Sequence, residues 1–442
     1  MTQTQRALGS TILLTLISAG CSESLPPPPS EAQALVAPSP VAQQPLVLPE
    51  GAVALDWRFT LESIGPGDLD GDGRIDLTMT AHVESRVETY YQRDDRQFSA
   101  SGPLQNPGFH PNGTLTLVGG DGQRYLALNA ETANAVRTYR AVPDAPGTFV
   151  GDAAARAPTE SIALTWPEWG QTLAVTPKWG AQVQLLSGFD PARPAEAAHL
   201  TVVPTERTHY QVAGLVAADL RGQGDPAVLV AVPREGRLVA ISPAGPGRVK
   251  MDQIWDFGLG TDPESILPVD FNGDGHQDLF VLGQLMRDAA LLTNDGAGGF
   301  TLTPFPVADP ALQQGMRGGA LTLEADDGSL LLWAGGEGTL VVLRWGKDRN
   351  VPPERFAFQR SGKDPIRFVS ADLDGDGHQD LVMGSAVGSL PLTAFYGPLS
   401  PMLDGIGAWL AALKARSDAA EQAAKATRPV RTPTPIPAPA VR

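Results

Sequence analysis

The sequence predicts an all-β chain, a seven-bladed β-propeller with a short C-terminal helix, and three observations point there. A loop of the form Asp-x-Asp/Asn-Gly-Asp-Gly-x-x-Asp occurs at Asp68–Asp76, Asp270–Asp278 and Asp372–Asp380, each time running straight into an apolar stretch such as Leu279-Phe-Val-Leu282. With the first loop position as a ruler, further turns fall into register. A degenerate copy starts at Asp219, and Asp121-Gly122, Trp169-Gly170 and Asp327-Gly328 set starts at 117, 165 and 323. The intervals are 49, 48, 54, 51, 53 and 49 residues, a period near 51. About 50 residues holding three or four short strands is the size of one propeller blade. Six or eight blades follow instead if Trp169-Gly170 marks no unit.

The chain opens with a segment that is not part of this fold. Residues 1–20 carry Arg6, the apolar run Ile12-Leu-Leu-Thr-Leu-Ile17 and small residues before Cys21. The run is too short to span a bilayer core of about 30 Å, so it reads as a secretory signal peptide. Residues 21–50 are Pro-, Ala- and Gln-rich, with Pro26 to Pro29 in series, and read as an extended tether. Cys21 is the only cysteine, which excludes a disulfide framework and a thiolate metal site.

Folded structure is expected over 51–400. Val53, Leu55, Trp57 and Phe59 alternate with polar or small residues, the period of a strand with one buried face. This strand at 52–59 precedes the first unit and has no partner there. The seventh unit runs out at Pro398 and Pro401 before a fourth strand. The early strand is therefore expected to complete the last blade and close the ring without open edges. The seven units begin with Ser63-Ile-Gly, Thr114-Leu-Thr-Leu-Val118, Ser161-Ile-Ala-Leu164, Val212-Ala-Gly-Leu-Val216, Ser265-Ile-Leu267, Ala320-Leu-Thr-Leu323 and Arg367-Phe-Val369. The 48 Gly and 40 Pro suit many turns.

The loops have the chemistry of a cation cage. Ca²⁺ takes six to eight oxygens at about 2.3–2.6 Å, and a wound loop aims alternate side chains inward. The candidate ligands are Asp68, Asp70, Asp72 and Asp76; Asp270, Asn272, Asp274 and Asp278; and Asp372, Asp374, Asp376 and Asp380. The seventh positions, Arg74, His276 and His378, would each contribute a backbone carbonyl, with the side chain pointing outward. About three Ca²⁺ sites result. The flanking strands and the lack of a Glu at position 12 make an EF-hand the weaker alternative. In the degenerate loop, Arg221, Gln223 and Ala227 replace three ligands, so no Ca²⁺ is expected and the Arg221 guanidinium would pair with Asp219. At ten times Kd one ion adds roughly 1.4 kcal/mol of stability, a structural role.

Asp270 to Phe300, with its loop, Leu291-Leu-Thr-Asn-Asp-Gly and Gly298-Gly-Phe300, resembles an FG-GAP or VCBS-type repeat, as in integrin α-subunit propellers and secreted bacterial proteins. The resemblance implies a seven-bladed propeller with Ca²⁺ in hairpin loops on one face. Likewise Ser18-Ala-Gly-Cys21 resembles a bacterial lipobox, which implies a lipidated Cys21 and a lipid-anchored protein of the bacterial cell envelope. In a Gram-negative cell, Ser22 would direct it to the outer membrane. A plain signal peptide with an incidental cysteine is the alternative.

Ile406, Trp409, Leu410 and Leu413 recur at helical spacing, so 401–427 is an amphipathic, Ala-rich helix that docks on the propeller or, alternatively, on a membrane or partner. Residues 428–442 form a Pro-rich tail. The net charge of −16 argues against nucleic acid. The six histidines (82, 110, 199, 209, 276 and 378) are scattered and read as surface or loop residues, and no hydrolase elbow, zincin or phosphate-loop motif occurs. Trp166, Trp169 and Trp179 read as blade core, with a sugar-stacking platform as the alternative. The chain is thus expected to be a non-enzymatic binding or scaffold module for a protein or glycan on one propeller face, held to the membrane by its N-terminal lipid. The alternative is an envelope polysaccharide lyase or hydrolase on the same scaffold.

Overall fold

In the computed structural model, strands form seven four-stranded antiparallel sheets. The structure describes residues 47–427, less 94–95, 106, 109, 157–160, 167–168, 178–179, 206–211, 260, 284–288, 304–319, 326–327, 336–338, 349–350, 360–364 and 387–389. At 152, 161–165, 253, 324–325 and 333–335 it describes the backbone alone. The expected signal peptide, Cys21, most of the expected tether and tail, Trp179 and His209 lie outside the described residues.

Each predicted opening strand is present, as Ser63–Gly67, Pro111–Val118, Ser161–Thr165, Ala213–Ala218, Pro263–Val269, Ala320–Ala325 and Ile366–Ala371. These first strands touch their counterparts in the next blade all the way round, the last meeting the first, and so form the inner wall of a closed ring. Close approach explains two glycines in blade 1. A Cβ on Gly65 or Gly67 would collide with Thr114 or Thr116 of the neighbouring inner strand.

The second strand of each blade is sandwiched between neighbouring sheets. Asp76–Ala81, Thr172–Thr176, Ala227–Val232, Asp278–Gly283 and Asp380–Ser385 are buried at every position. Ala227–Val232 therefore reads as an unbroken apolar run and the others bury threonine, serine or the ninth aspartate among apolar residues, whereas the outer strand Glu354–Gln359 alternates exposed with half-buried over most of its length.

The ring closes as expected, with one correction. Ala52–Ala54 is the outermost strand of blade 7, pairing Ala52 with Phe395, Val53 with Ala394 and Ala54 with Thr393. The strand is shorter than the alternation at 52–59 suggested, because its partner Thr393–Phe395 has only three residues and follows Pro391. One further bond, from Leu55 N to Leu392 O at 2.9 Å, ends the ladder. Trp57 and Phe59 then pack on each other, ring centroids 5.3 Å apart, with the Arg86 guanidinium 4.3 Å over Phe59.

The C-terminal helix is Leu403–Thr427, preceded by a 3-10 turn at Ser400–Met402. Leu403, Ile406, Trp409 and Leu410 are each at most 3% exposed and join the core of blades 5 to 7, with Trp409 edge-on to Phe395 at 5.5 Å. Its second half carries the i,i+4 ion pairs Lys414–Asp418 and Lys425–Glu421. The apolar face is thus spent on the propeller. No helix among the described residues is long and apolar enough to cross a membrane.

Candidate metal centre

All the wound loops join a first strand to a second strand, so they lie on one face of the ring. Their winding is a chain of side-chain-to-backbone bonds. The first aspartate accepts the N–H groups of both glycines: Gly71 and Gly73 on Asp68 at 2.6 and 3.2 Å, Gly273 and Gly275 on Asp270 at 2.7 and 2.9 Å, and Gly375 and Gly377 on Asp372 at 2.8 and 3.0 Å. Those N–H groups converge only because the glycines take φ between +76° and +90°. Positions three and five each accept the N–H two residues on, as in Asp274 N to Asn272 at 2.9 Å and His276 N to Asp274 at 2.8 Å.

The ninth acid ties the loop to the sheet. Asp76, Asp278 and Asp380 are at most 1% exposed. Asp76 accepts from Leu69 N at 2.8 Å and from Gln92 N, at the end of the third strand, at 3.1 Å. Asp278 likewise takes Phe271 N at 2.9 Å and Asn294 N at 2.7 Å, and Asp380 takes Leu373 N at 2.7 Å and Gly397 N at 2.6 Å.

These bonds do not offset the burial of charge. Desolvation pushes the Asp76 carboxyl up to about 7, against the N–H bonds from Leu69 and Gln92 and aided by the nearby charges of Asp70 and Asp72. The same cause lifts Asp380 to about 6, with Asp374 and Asp376 adding to it, and raises Asp278. The degenerate loop behaves oppositely. Burial of Asp219 is outweighed by the N–H groups of Gly224, Gln223 and Arg221, which hold its carboxyl below the usual carboxylate range. It is the backbone N–H of Arg221, rather than the guanidinium expected from the sequence, that meets Asp219. An N–H nest is enough for one carboxylate, and the complete loops hold a surplus.

The structure brings carboxylate oxygens of Asp68, Asp70 and Asp76 within 4.8 Å of one another, and does the same for Asp372, Asp374 and Asp380. These acidic groups could hold a metal ion: the donors are all hard oxygens, and the buried member of each set has its charge poorly compensated. In the 270 loop the third position is an amide, and Asn272 Nδ2 donates to Asp274 Oδ2 at 2.8 Å. Asp72 and Asp376 stand outside the two convergent sets. Asp72 pairs with Arg74 at 2.9 Å, so the Arg74 side chain folds back on its own loop instead of pointing outward. The expectation failed because the fifth-position acid lies within reach of the long side chain. His276 packs against Gly296 and lies near Gly222 of the blade 4 loop, with Nδ1 buried and without a partner.

Sequence reasoning missed the contacts that brace these loops from the next blade. Arg124 of blade 2 donates to the Asp68 carbonyl at 2.9 Å and to its carboxylate at 3.0 Å. Arg96 of blade 1 reaches Asp374 at 2.5 Å and Asp376 at 3.5 Å across the closure of the ring. Neither arginine has a motif, since each meets its partner only through blade packing. Also missed was a group on the other face, His82, His110 and Glu131, whose donor atoms lie within 4.8 Å of one another. The one signal was register: His82 and Glu131 each stand fourteen residues after the first loop position of their units, 68 and 117. Trp166, by contrast, is core, fully buried with Nε1 donating to Pro226 O at 2.6 Å, and Trp169 packs on it with ring centroids 5.1 Å apart.

Comparison with protein-family models and with curated proteins finds no match to the chain. Solved structures do resemble it. The Saccharomyces cerevisiae protein Sqt1 aligns with a TM-score of 0.50 and 11% identity, over 79% of this chain and 89% of that one. BBS1N, crystallised in complex with ARL6DN, aligns with a TM-score of 0.49 and 13% identity, over 80% and 98% of the two chains. The periplasmic gluconolactonase PpgL of Pseudomonas aeruginosa gives 0.48 and 12%, over 67% and 84%. At 11% identity the likeness to Sqt1 speaks to fold alone. By its seven sheets and their closed order, the chain is a seven-bladed β-propeller.

Proposed function

We propose that this is a Ca²⁺-stabilised propeller, lipid-tethered to a bacterial envelope through Cys21, that acts as a binding or scaffold module for a protein or glycan. The observation that carries the metal part is the surplus of buried negative charge in the complete loops, set against its absence in the loop at Asp219. Asp68, Asp70 and Asp76, and Asp372, Asp374 and Asp380, would hold an ion each. Asp270, Asn272, Asp274 and Asp278 would hold a third. A bound cation would supply the charge that keeps the ninth acids ionised while they anchor loop to sheet. Arg124 and Arg96, already on the first-position or third-position acids, carry that rigidity into the adjacent blade.

The inner strands support recognition over catalysis. Their charged residues are Glu264, Glu324 and Arg367, one each on three of the seven strands. Arg367 is taken by Glu62 at 3.2 Å. By sequence the remaining residues of these strands are small, apolar or hydroxyl-bearing save Asn112, a composition that suits a scaffold better than an acid–base centre.

Thermal melting tests the metal part. Chelation should lower Tm, and Asp274→Ala should lower it in Ca²⁺ but hardly in chelator; equal losses in both would refute the ligand role. A pull-down from envelope extract, with and without chelator, tests the binding role. A specific partner whose retention depends on Ca²⁺ is expected, and turnover of envelope polysaccharide by the purified protein would favour the enzyme instead.

A further inference from the structure

We propose that His82, His110 and Glu131 form a separate site for Zn²⁺ or a similar borderline divalent transition ion, on the face opposite the aspartate loops. The placement follows from strand direction. Asp76–Ala81 runs away from its loop, and His82 follows it at the far end of blade 1. In blade 2, His110 stands just before Pro111–Val118 and Glu131 just after Arg124–Ala130. Those two strands pair Pro111 with Ala130, so His110 and Glu131 face each other across the end of the ladder. Their backbones are tied as well, Glu131 N donating to His110 O at 3.4 Å. The third donor comes from the neighbouring blade.

The geometry is that of a site needing little rearrangement. His82 Nε2 lies 3.2 Å from Glu131 Oε2, and the two imidazole rings have centroids 4.2 Å apart at 54°. One nitrogen from each histidine and one Glu131 oxygen fall within 4.8 Å of one another. Ligand bonds of about 2.0–2.2 Å would place an ion among them with small side-chain adjustments. His82 and Glu131 retain 26% and 16% of their side-chain exposure, and His110 is exposed, so the site opens to solvent.

The donor set selects the ion. Two imidazoles and one carboxylate suit zinc, copper or nickel and are poor ligands for Ca²⁺, which takes oxygens only. Three protein ligands on an accessible surface leave at least one coordination position for water or for an anionic group of another molecule. The loops on the other face, all oxygen, would not compete for the same ion. One propeller would thus carry two chemically distinct kinds of metal site, and the second would also link blade 1 to blade 2.

The test uses the full chain without an oligohistidine tag, saturated with Ca²⁺, and titrated with Zn²⁺ alone by calorimetry and with Co²⁺ by visible absorption. One equivalent of Zn²⁺ is expected, with a rise in Tm and with the absorption bands of low-coordinate cobalt. His82→Gln combined with His110→Gln should abolish the heat and the bands while leaving the Tm in Ca²⁺ alone nearly unchanged. Should the double variant fail to fold, the exposed His110→Gln alone decides the matter, and it should weaken Zn²⁺ binding by about 100-fold or more. Asp68→Asn with Asp372→Asn should leave the Zn²⁺ equivalent in place. No Zn²⁺ heat in the parent protein, or the same affinity in the histidine variants, would overturn the site and leave an ordinary His–Glu contact between blades.

Discussion

Removing divalent ions should reverse the pH dependence of stability, and Asp76 shows why. Its folded carboxyl is raised to about 7, whereas an unfolded aspartate titrates near 3.9. A raised folded value means that the native state holds the proton more tightly. Its contribution is therefore fully present below about pH 4 and lost as pH rises through 7. The slope approaches about 1.4 kcal/mol per unit near pH 5 and falls to half of that at pH 7, so between these limits metal-free protein loses roughly 2 kcal/mol through this group alone. Asp380, raised to about 6, adds a loss of the same sign that is complete at lower pH. Against a net stability of about 5–15 kcal/mol, this is readily measured.

Other carboxylates titrate in the same window, so the assay is a difference. Urea unfolding of metal-free parent and Asp76→Asn is followed from pH 5 to 8. The amide cannot titrate, although it offers one acceptor where Asp76 receives N–H bonds from both Leu69 and Gln92, a fixed cost of about 1–3 kcal/mol. The parent should lose stability relative to the variant as pH rises. With saturating Ca²⁺ the sign should invert, because the ion favours the ionised carboxylate. A flat difference, or a metal-free parent that gains on the variant with rising pH, would refute the picture of an uncompensated buried charge.

Further outcomes follow from packing and from the proposed lipid anchor. Gly67→Val should destabilise by about 1–3 kcal/mol or more, measured by urea midpoint, because its side chain meets Thr116 of the next inner strand. Trp409→Ala should cost about 3–5 kcal/mol and expose the helix to proteolysis, since the ring is 2% exposed against Phe395; unchanged stability would mean the helix is not docked. Cys21→Ser should release the protein from membranes in fractionated cells, and continued retention would count against lipidation.

Much of the fold was legible because propeller blades are local. Hairpins between consecutive strands leave turn and apolar signals at a fixed spacing, so even the unit at Trp169-Gly170 is in register although it lacks the acidic motif. The closing strand was visible as an orphan, but its length was not, since that is set by Thr393–Phe395 some 340 residues away. The site divides in the same way. The loop glycines and the aspartates of each loop stand within nine residues and could be read directly, whereas the bonds that the ninth aspartates accept from Gln92, Asn294 and Gly397 come from sixteen or seventeen residues on and could not. Arg96, Arg124 and the His82, His110 and Glu131 group depend on which side chains adjacent blades bring together, and no single loop records that. The seventh-position arginine was misread for a related reason: Arg74 finds Asp72 two residues away, a contact that the ligand pattern does not encode.

The most direct measurement is a count of Ca²⁺ bound per folded chain by equilibrium dialysis, repeated for Asp76→Asn, Asp278→Asn, Asp380→Asn and Asp219→Asn. About three ions are expected in the parent, one fewer in each of the first three variants, and no change in the fourth. A parent that binds no Ca²⁺, or a count indifferent to the ninth aspartates, would contradict the account.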